Sequence, residues 1–327
     1  MKSRRGFAML AALWLVVAIA VVALAFALDA RERRGLGIEA SDRGAGRAAA
    51  AGALAMLQAR LDQALRNAPR GTAVSGTRSG DPLMDIDSVY SGTTLVDSIP
   101  VTVKAIDLGS RLNINTATED ELRTFFGLVL NDYPKADQLA EMMMDWRDAD
   151  DIARANGDES DGYVKKGLLA LPTNQPFRDV SDLQQVEAMT PDIYGRIASM
   201  LTTLGSGGTN INTAPPMVLR AVPGMTDQIV ANILSQRARG LRITSVGDVV
   251  PGAATGGGRG GRGGGANGNA AAVQANETAL LGRYLYVDTR DIEVTLTARP
   301  SPAAQPTRLT ALLQRGTQSV TVTWQQW

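Results

Sequence analysis

The sequence predicts an α+β chain: a long N-terminal helix packed on an antiparallel sheet, with a large, mainly helical domain inserted between the strands. Three observations predict it. An uncharged apolar run of 22 residues, Phe7 to Leu28, leads toward a second stretch, Arg47–Arg66, with leucines at three- and four-residue spacing. Strand-like alternation at Ser98–Asp107 is followed by about 170 residues of helix-rich sequence before it returns at Tyr284–Thr297. Sheet pieces that flank a helical block indicate an insertion.

Composition narrows the function. The 327 residues hold 33 Lys+Arg against 33 Asp+Glu, and neither Cys nor His. A balanced charge argues against a nucleic-acid partner, whose phosphates need a basic excess or patch. Without Cys or His there is no disulfide, no Cys/His zinc site, no thiol nucleophile and no imidazole base. No convincing catalytic constellation of carboxylates, Lys and Ser replaces them, so the expectation is a non-enzymatic protein.

The first element is the apolar run. At about 1.5 Å per residue, Phe7–Leu28 spans about 33 Å as a helix, enough to cross a bilayer core. Lys2, Arg4 and Arg5 precede it and hold that end in the cytoplasm, placing the chain beyond Leu28 outside. Three readings fit: a cleaved signal peptide ending at Ala25-Phe26-Ala27, twin-arginine export through Arg4-Arg5, or a short basic leader ending at Gly6 with the apolar helix retained. Two features favour the last. The apolar run starts directly after Gly6-Phe7, and helix-compatible sequence continues through Asp29–Arg34 and resumes at Arg47–Arg66, with Leu54, Leu57, Leu61 and Leu65 on one stripe. Gly35, Gly37, Gly44 and Gly46 predict a bend or local melting between.

This N-terminus resembles that of a type IV pilin-like subunit. The resemblance implies cleavage between Gly6 and Phe7 by a prepilin peptidase, and N-methylation of Phe7. Most such subunits carry Glu at the fifth mature position, where it faces the N-terminal ammonium of the neighbour nearer the tip. Here that position is Ala11. A buried charge lacking its partner is costly, so Ala11 suits a subunit with nothing ahead of it.

After Arg66 comes a turn-rich segment to Gly92, then the Ser98–Asp107 strand; further strands are predicted at Tyr284–Thr297, Arg308–Leu313 and Ser319–Trp324. Pro251–Gly268, with ten glycines, reads as a flexible surface loop. The helical block contains an echo: Asn113-Ile114-Asn115-Thr116-Ala117 recurs as Asn210-Ile211-Asn212-Thr213-Ala214, and Leu122-Arg123 as Leu219-Arg220. Both copies are expected to be structural helix-entry corners, with a Thr116–Glu119 capping box in the first and Pro215 or Pro216 in the first turn of the second. The segment from Val218 through Pro223-Gly224 to Ile233 resembles a helix-hairpin-helix, and the surrounding residues resemble competence DNA receptors. Thr226 stands at the usual second glycine and Asp227 opposes phosphate there, so a packing role is expected.

The sharpest chemical signal is acidic. Asp145-Trp146-Arg147-Asp148-Ala149-Asp150-Asp151 is followed by Gly157-Asp158-Glu159-Ser160-Asp161, giving seven carboxylates and two arginines in 17 residues. Such a cluster repels itself unless solvated or neutralised. Composition alone leaves open a solvated loop and a hard-cation site, for which flexible all-oxygen donors favour calcium over magnesium. The EF-hand spacing is absent.

Asp145-Trp146-x-Asp148-Ala149-Asp150-Asp151, Gly157-x-Glu159-x-Asp161-x-Tyr163, Asn174-x-Pro176-Phe177 with Val180-x-x-Leu183, and the two Asn-Ile-Asn corners are together similar to the type II secretion system protein K family. Ser160 and Gly162 depart from the usual residues there. The resemblance implies a minor pseudopilin with a pilin-like fold, an inserted helical domain containing helix-hairpin-helix-like units, bound calcium, and a tip complex with I- and J-type minor pseudopilins above the major pseudopilin. Asp148, Asp150, Asp151, Glu159 and Asp161 are the expected calcium ligands. The expected organisation is a leader at 1–6, a transmembrane helix at 7–28, its amphipathic continuation at 29–67, a pilin-like domain at 68–111 and 282–327, and the insertion at 112–281. The chain would lie in the bacterial inner membrane, single-pass, with its C-terminal part in the periplasm. The alternatives are an anchored DNA-uptake receptor and a secreted calcium-binding protein with a removed signal.

Overall fold

The computed structural model describes residues 4–68, 81–83, 85–250 and 267–327. Met1–Ser3 of the expected leader, part of the turn-rich segment and residues 251–266 of the glycine-rich stretch lie outside the described residues. Helix α1, Arg4–Asn67, is continuous over 64 residues. The local melting expected at its glycines is not there. Gly35, Gly37 and Gly44 face open space and cost only helix propensity. Gly46 is buried where the helix closes on the sheet: a Cβ there would meet Thr307 Oγ1 at 2.5 Å. Packing, not propensity, decides the helix at that point.

After the short α2 (Ile86–Val89) come β1 (Gly92–Val96) and β2 (Ile99–Asp107), a tight antiparallel hairpin. Asp97 and Ser98 both take positive φ, as a two-residue turn matching strand twist requires. β1 was not expected from the sequence, because Asp-Ser is a weak turn signal.

The insertion then runs through β3 (Leu112–Asn113), α3 (Glu119–Leu130), α4 (Tyr133–Arg147), α5 (Ser160–Lys165), α6 (Pro191–Ile197) and β4 (Leu201–Thr202). It continues through β5 (Thr209–Asn210), α7 (Pro216–Ala221), α8 (Asp227–Ala238), α9 (Asn267–Leu281) and β6 (Leu285–Tyr286). The chain closes with β7 (Asp291–Ala298), β8 (Thr307–Arg315) and β9 (Val320–Gln326). Tyr284–Thr297, expected as one strand, therefore divides. Its first part pairs with β5 inside the insertion, and only the second joins the main sheet.

That sheet is fully antiparallel in the order β1-β2-β7-β8-β9. The insertion leaves at the end of β2 and returns at the start of β7, which are neighbours, so its two ends meet (Asp107 pairs with Ile292). The Leu54, Leu57, Leu61 and Leu65 stripe of α1 packs on Val101, Val294, Leu296 and Leu309. A separate core around Phe125, Met143, Trp146 and Ile211 holds the insertion together.

The echo in the sequence marks a motif used twice. In the first module β3 pairs in parallel with β4; in the second β5 pairs in parallel with β6. Asn115 donates to the carbonyls of Phe177 and Thr203 and accepts from Phe177 N–H. Asn212 repeats this with Ile243, Val287 and Ile243 N–H. Arg147 donates to the carbonyls of Ile114 and Ala117; Arg237 donates to those of Ala214 and Thr213. Capped 3₁₀ turns follow at Val180–Gln185 and Val246–Asp248. The first capping box is formed by Thr118 and Glu121, two residues later than expected, because Thr116 belongs to the corner that bonds back to Asn113.

The second module is tied to the sheet through Asp107. Its carboxylate accepts from Asn210 Nδ2 at 2.7 Å, Thr213 Oγ1 at 2.6 Å and Gly109 N–H at 3.0 Å. Burial pushes Asp107 up to about 6 in spite of these donors.

Candidate metal centre

The acidic residues sit on a loop whose two ends are clamped by aromatic packing. Trp146, near the end of α4, stacks on Phe177 with ring centroids 6.2 Å apart and meets the Tyr163 edge at 5.9 Å. Asn174 N–H donates to Trp146 C=O at 3.2 Å. Residues 148–176 thus leave and re-enter the first module at one place. Within the loop, Glu141 accepts from Asn156 N–H and Nδ2, at 2.6 and 3.0 Å. Gly157 passes over Asp145 so closely that a Cβ would lie 1.9 Å from its Oδ2. Any side chain at Gly162 would strike Asp158, with 1.6 Å between Cβ and Oδ1.

Asp148, Asp150 and Glu159 each present an oxygen within 4.8 Å of the others. Both Glu159 oxygens, Asp148 Oδ1 and Asn174 Oδ1 are buried without a hydrogen-bond partner among the described residues. Burying such atoms unpaired is expensive. Burial, reinforced by Asp145, Asp148, Asp151 and Asp150, pushes Glu159 up to about 7. A cation bound among these oxygens would supply the missing partner. The donors are carboxylates and an amide oxygen, a set that suits a hard cation.

Asp151 is exposed and accepts from Asn174 Nδ2 at 2.9 Å, while that amide also donates to Asp150 C=O at 3.0 Å. Asp161 lies exposed in the first turn of α5, outside the group that Asp148, Asp150 and Glu159 form. Asn174 was not expected as a donor. Its left-handed backbone, φ +49, turns the chain at that point, and position in a motif says nothing of that.

Elsewhere, α1 runs through Gly6, Phe7 and Ala11, whose side chains lie outside the described part. An 18-residue window of this helix reaches a mean hydropathy of 2.5 with none of it buried. At the hairpin, Gly224 takes φ +82, and a Cβ there would meet Leu280 of α9 at 2.9 Å. Asp227 pairs with Arg220. The hairpin is thus packed against its own chain, and its nearby arginine is paired with an acid at the start of α8.

Two family profiles described as type II secretion system (T2SS), protein K match adjoining stretches, residues 110–206 and 209–274. The break between them falls between the two modules. The chain is 30% identical over 78 residues to the type II secretion system protein K of Pectobacterium carotovorum subsp. carotovorum, covering 24% of each. It is 32% identical over 84 residues to that of Klebsiella pneumoniae, covering 25% of this chain and 26% of the relative. The matched stretches thus span about a quarter of the length of these curated relatives. A chain in the crystal structure of the GspK-GspI-GspJ complex from the enterotoxigenic Escherichia coli type 2 secretion system has the same fold. It superposes with a TM-score of 0.60 at 18% identity, covering 84% of this chain and 93% of that one. From the paired profiles on the two modules, and from relatives that agree with them, the chain belongs to the type II secretion system protein K family.

Proposed function

We propose that this chain is a membrane-inserted minor pseudopilin that starts or caps the pseudopilus of a type II secretion system. One combination carries the proposal: a bare apolar helix of membrane length, continuous with the helix that packs the sheet, in a body enlarged by two inserted modules. The role is assembly and not catalysis. A prepilin peptidase removes Met1–Gly6, Phe7 becomes the N-methylated first residue, and the helix is drawn from the inner membrane into the filament. Ala11 offers no carboxylate to a subunit ahead, and the bulk of the modules obstructs addition above. The body lies in the periplasm.

The likeness in fold to a chain solved within the GspK-GspI-GspJ complex supports I- and J-type minor pseudopilins as partners, with the major pseudopilin below them. The unpartnered oxygens of Asp148, Glu159 and Asn174 support calcium in the first module, with Asp150 as a further ligand, Asp151 close by and Asp161 at the margin. Bound there, the cation would relieve the repulsion and stabilise the folded module by linkage.

N-terminal sequencing of membrane-extracted protein tests the reading. Phe7 is the expected first residue, and Gly6→Val should block cleavage while leaving insertion intact. A mature chain that begins near Asp29 would refute the pseudopilin assignment.

A further inference from the structure

The acidic loop contains two arginines, and the fold uses them differently. Arg147 turns away from the acids, onto the carbonyls of Ile114 and Ala117, as Arg237 does in the second module. Arg154 turns inward. Its Nη1 donates to Asp145 Oδ1 at 2.5 Å and to Asp148 Oδ2 at 2.6 Å, and its Nε reaches Glu119 at 3.3 Å. Its backbone N–H donates to Asp145 Oδ2 at 3.0 Å, and its carbonyl accepts from Gly157 N–H, closing a turn directly over Asp145. Asp145 has no exposed side-chain surface, so this guanidinium is its counter-charge. Nothing corresponds to Arg154 in the second module, whose chain passes from α8 to Ile243 with four residues between, 239–242.

Asp148 is divided between two environments. One oxygen is held by Arg154; the other is buried and unpartnered, in the group with Asp150 and Glu159. We propose that Arg154 is the loop's own cation: it keeps the metal-free first module folded by neutralising Asp145 and orienting Asp148, and its charge beside the site weakens calcium binding. The inference rests on the calcium reading above. Two consequences separate it from simple bracing. Without the guanidinium, Asp145 is a buried charge with no counter-charge, so the metal-free protein should lose stability. With calcium present, a nearby repulsive charge has been removed, so the folded protein should hold the ion more tightly.

The test is thermal unfolding of the full-length chain in detergent, in EDTA and in calcium chloride, for wild type, Arg154→Gln and Arg154→Lys. Arg154→Gln should have the lower Tm in EDTA. Its calcium-induced rise should exceed that of wild type by about one and a half times, as a roughly tenfold tighter site gives at a calcium level about one hundred times the wild-type Kd. Arg154→Lys keeps the charge and loses the planar fork, so its calcium rise should stay near wild type. If Arg154→Gln folds only with calcium, purification in calcium followed by chelation should unfold it while wild type survives. An equal loss of Tm in EDTA and in calcium would overturn the proposal, since it marks a bracing residue only. So would an unchanged Tm in EDTA. A wild-type chain without any calcium shift contradicts the calcium reading and the competition together; a loss in EDTA that Arg154→Lys restores would then leave only Asp145 neutralisation standing.

Discussion

Between the arginine in the last turn of its second helix and the residue that bonds to its corner asparagine, the first module has 29 residues, 148–176, and the second has five, 238–242. On either side of that difference the two are built alike. Asn115 and Asn212 make the same three bonds, Arg147 and Arg237 both donate to the corner alanine carbonyl (Ala117 or Ala214), and Leu122 and Leu219 are both fully buried. The second module shows that this frame closes without an acidic loop. The loop in the first is therefore an addition that the fold does not require, and its buried, unpartnered oxygens point to a ligand.

The largest expected effect concerns the shared frame. Asn115→Ala and Asn212→Ala each strand three backbone groups, and each should cost about 3 kcal/mol in denaturant unfolding. Only Asn115→Ala should also reduce the calcium response, because Asn115 holds Phe177 at the end of the loop. Equal effects on calcium from both variants would undo the contrast between the modules.

The ligand pair comes next in size. In Asp148→Ala plus Glu159→Ala, the calcium stabilisation of about 2.7 kcal/mol expected at one hundred times Kd should vanish. Magnesium should replace it poorly in the wild type. A calcium rise in Tm that persists in the double variant would place the ion elsewhere.

A smaller effect is expected with pH. Glu159 titrates near 7 when folded against an ordinary 4.5, and Asp107 near 6 against 3.8. Both values are raised, so the stability tied to each group is fully present below its ordinary value and is lost as pH rises through the folded one. Metal-free protein should weaken between about pH 4 and 7. Glu159→Gln should recover on the order of 2 kcal/mol at pH 7.5 and flatten the upper part of that fall. A stability that rises over this interval would contradict the electrostatic account. The smallest effect lies in the second module: Asp227→Asn, at an exposed pair with Arg220, should change stability by less than about 0.5 kcal/mol and leave calcium binding alone.

Some of this was legible in the sequence. The Asn-Ile-Asn-Thr-Ala corners, the acidic cluster and the leucine stripe are strings or periods that composition and spacing expose. The rest of the duplication was not, because Phe177–Leu183 and Val249 with the six residues before it share only a Val and an Asp. What they have in common is backbone bonding to an asparagine far away in sequence. Arg154 was hidden for a similar reason: a charge count cannot tell an arginine that faces a carboxylate from one, like Arg147, that faces carbonyls. The need for glycine at position 46 of α1 comes from Thr307, more than 250 residues away.

The proposed role stands or falls on position at the end of a filament, which labelling reads at first hand. Functional protein tagged on its periplasmic body should be found at one end of pseudopili, in very few copies, together with I- and J-type minor pseudopilins. Uniform label along the shaft would contradict the account, whatever the calcium measurements gave.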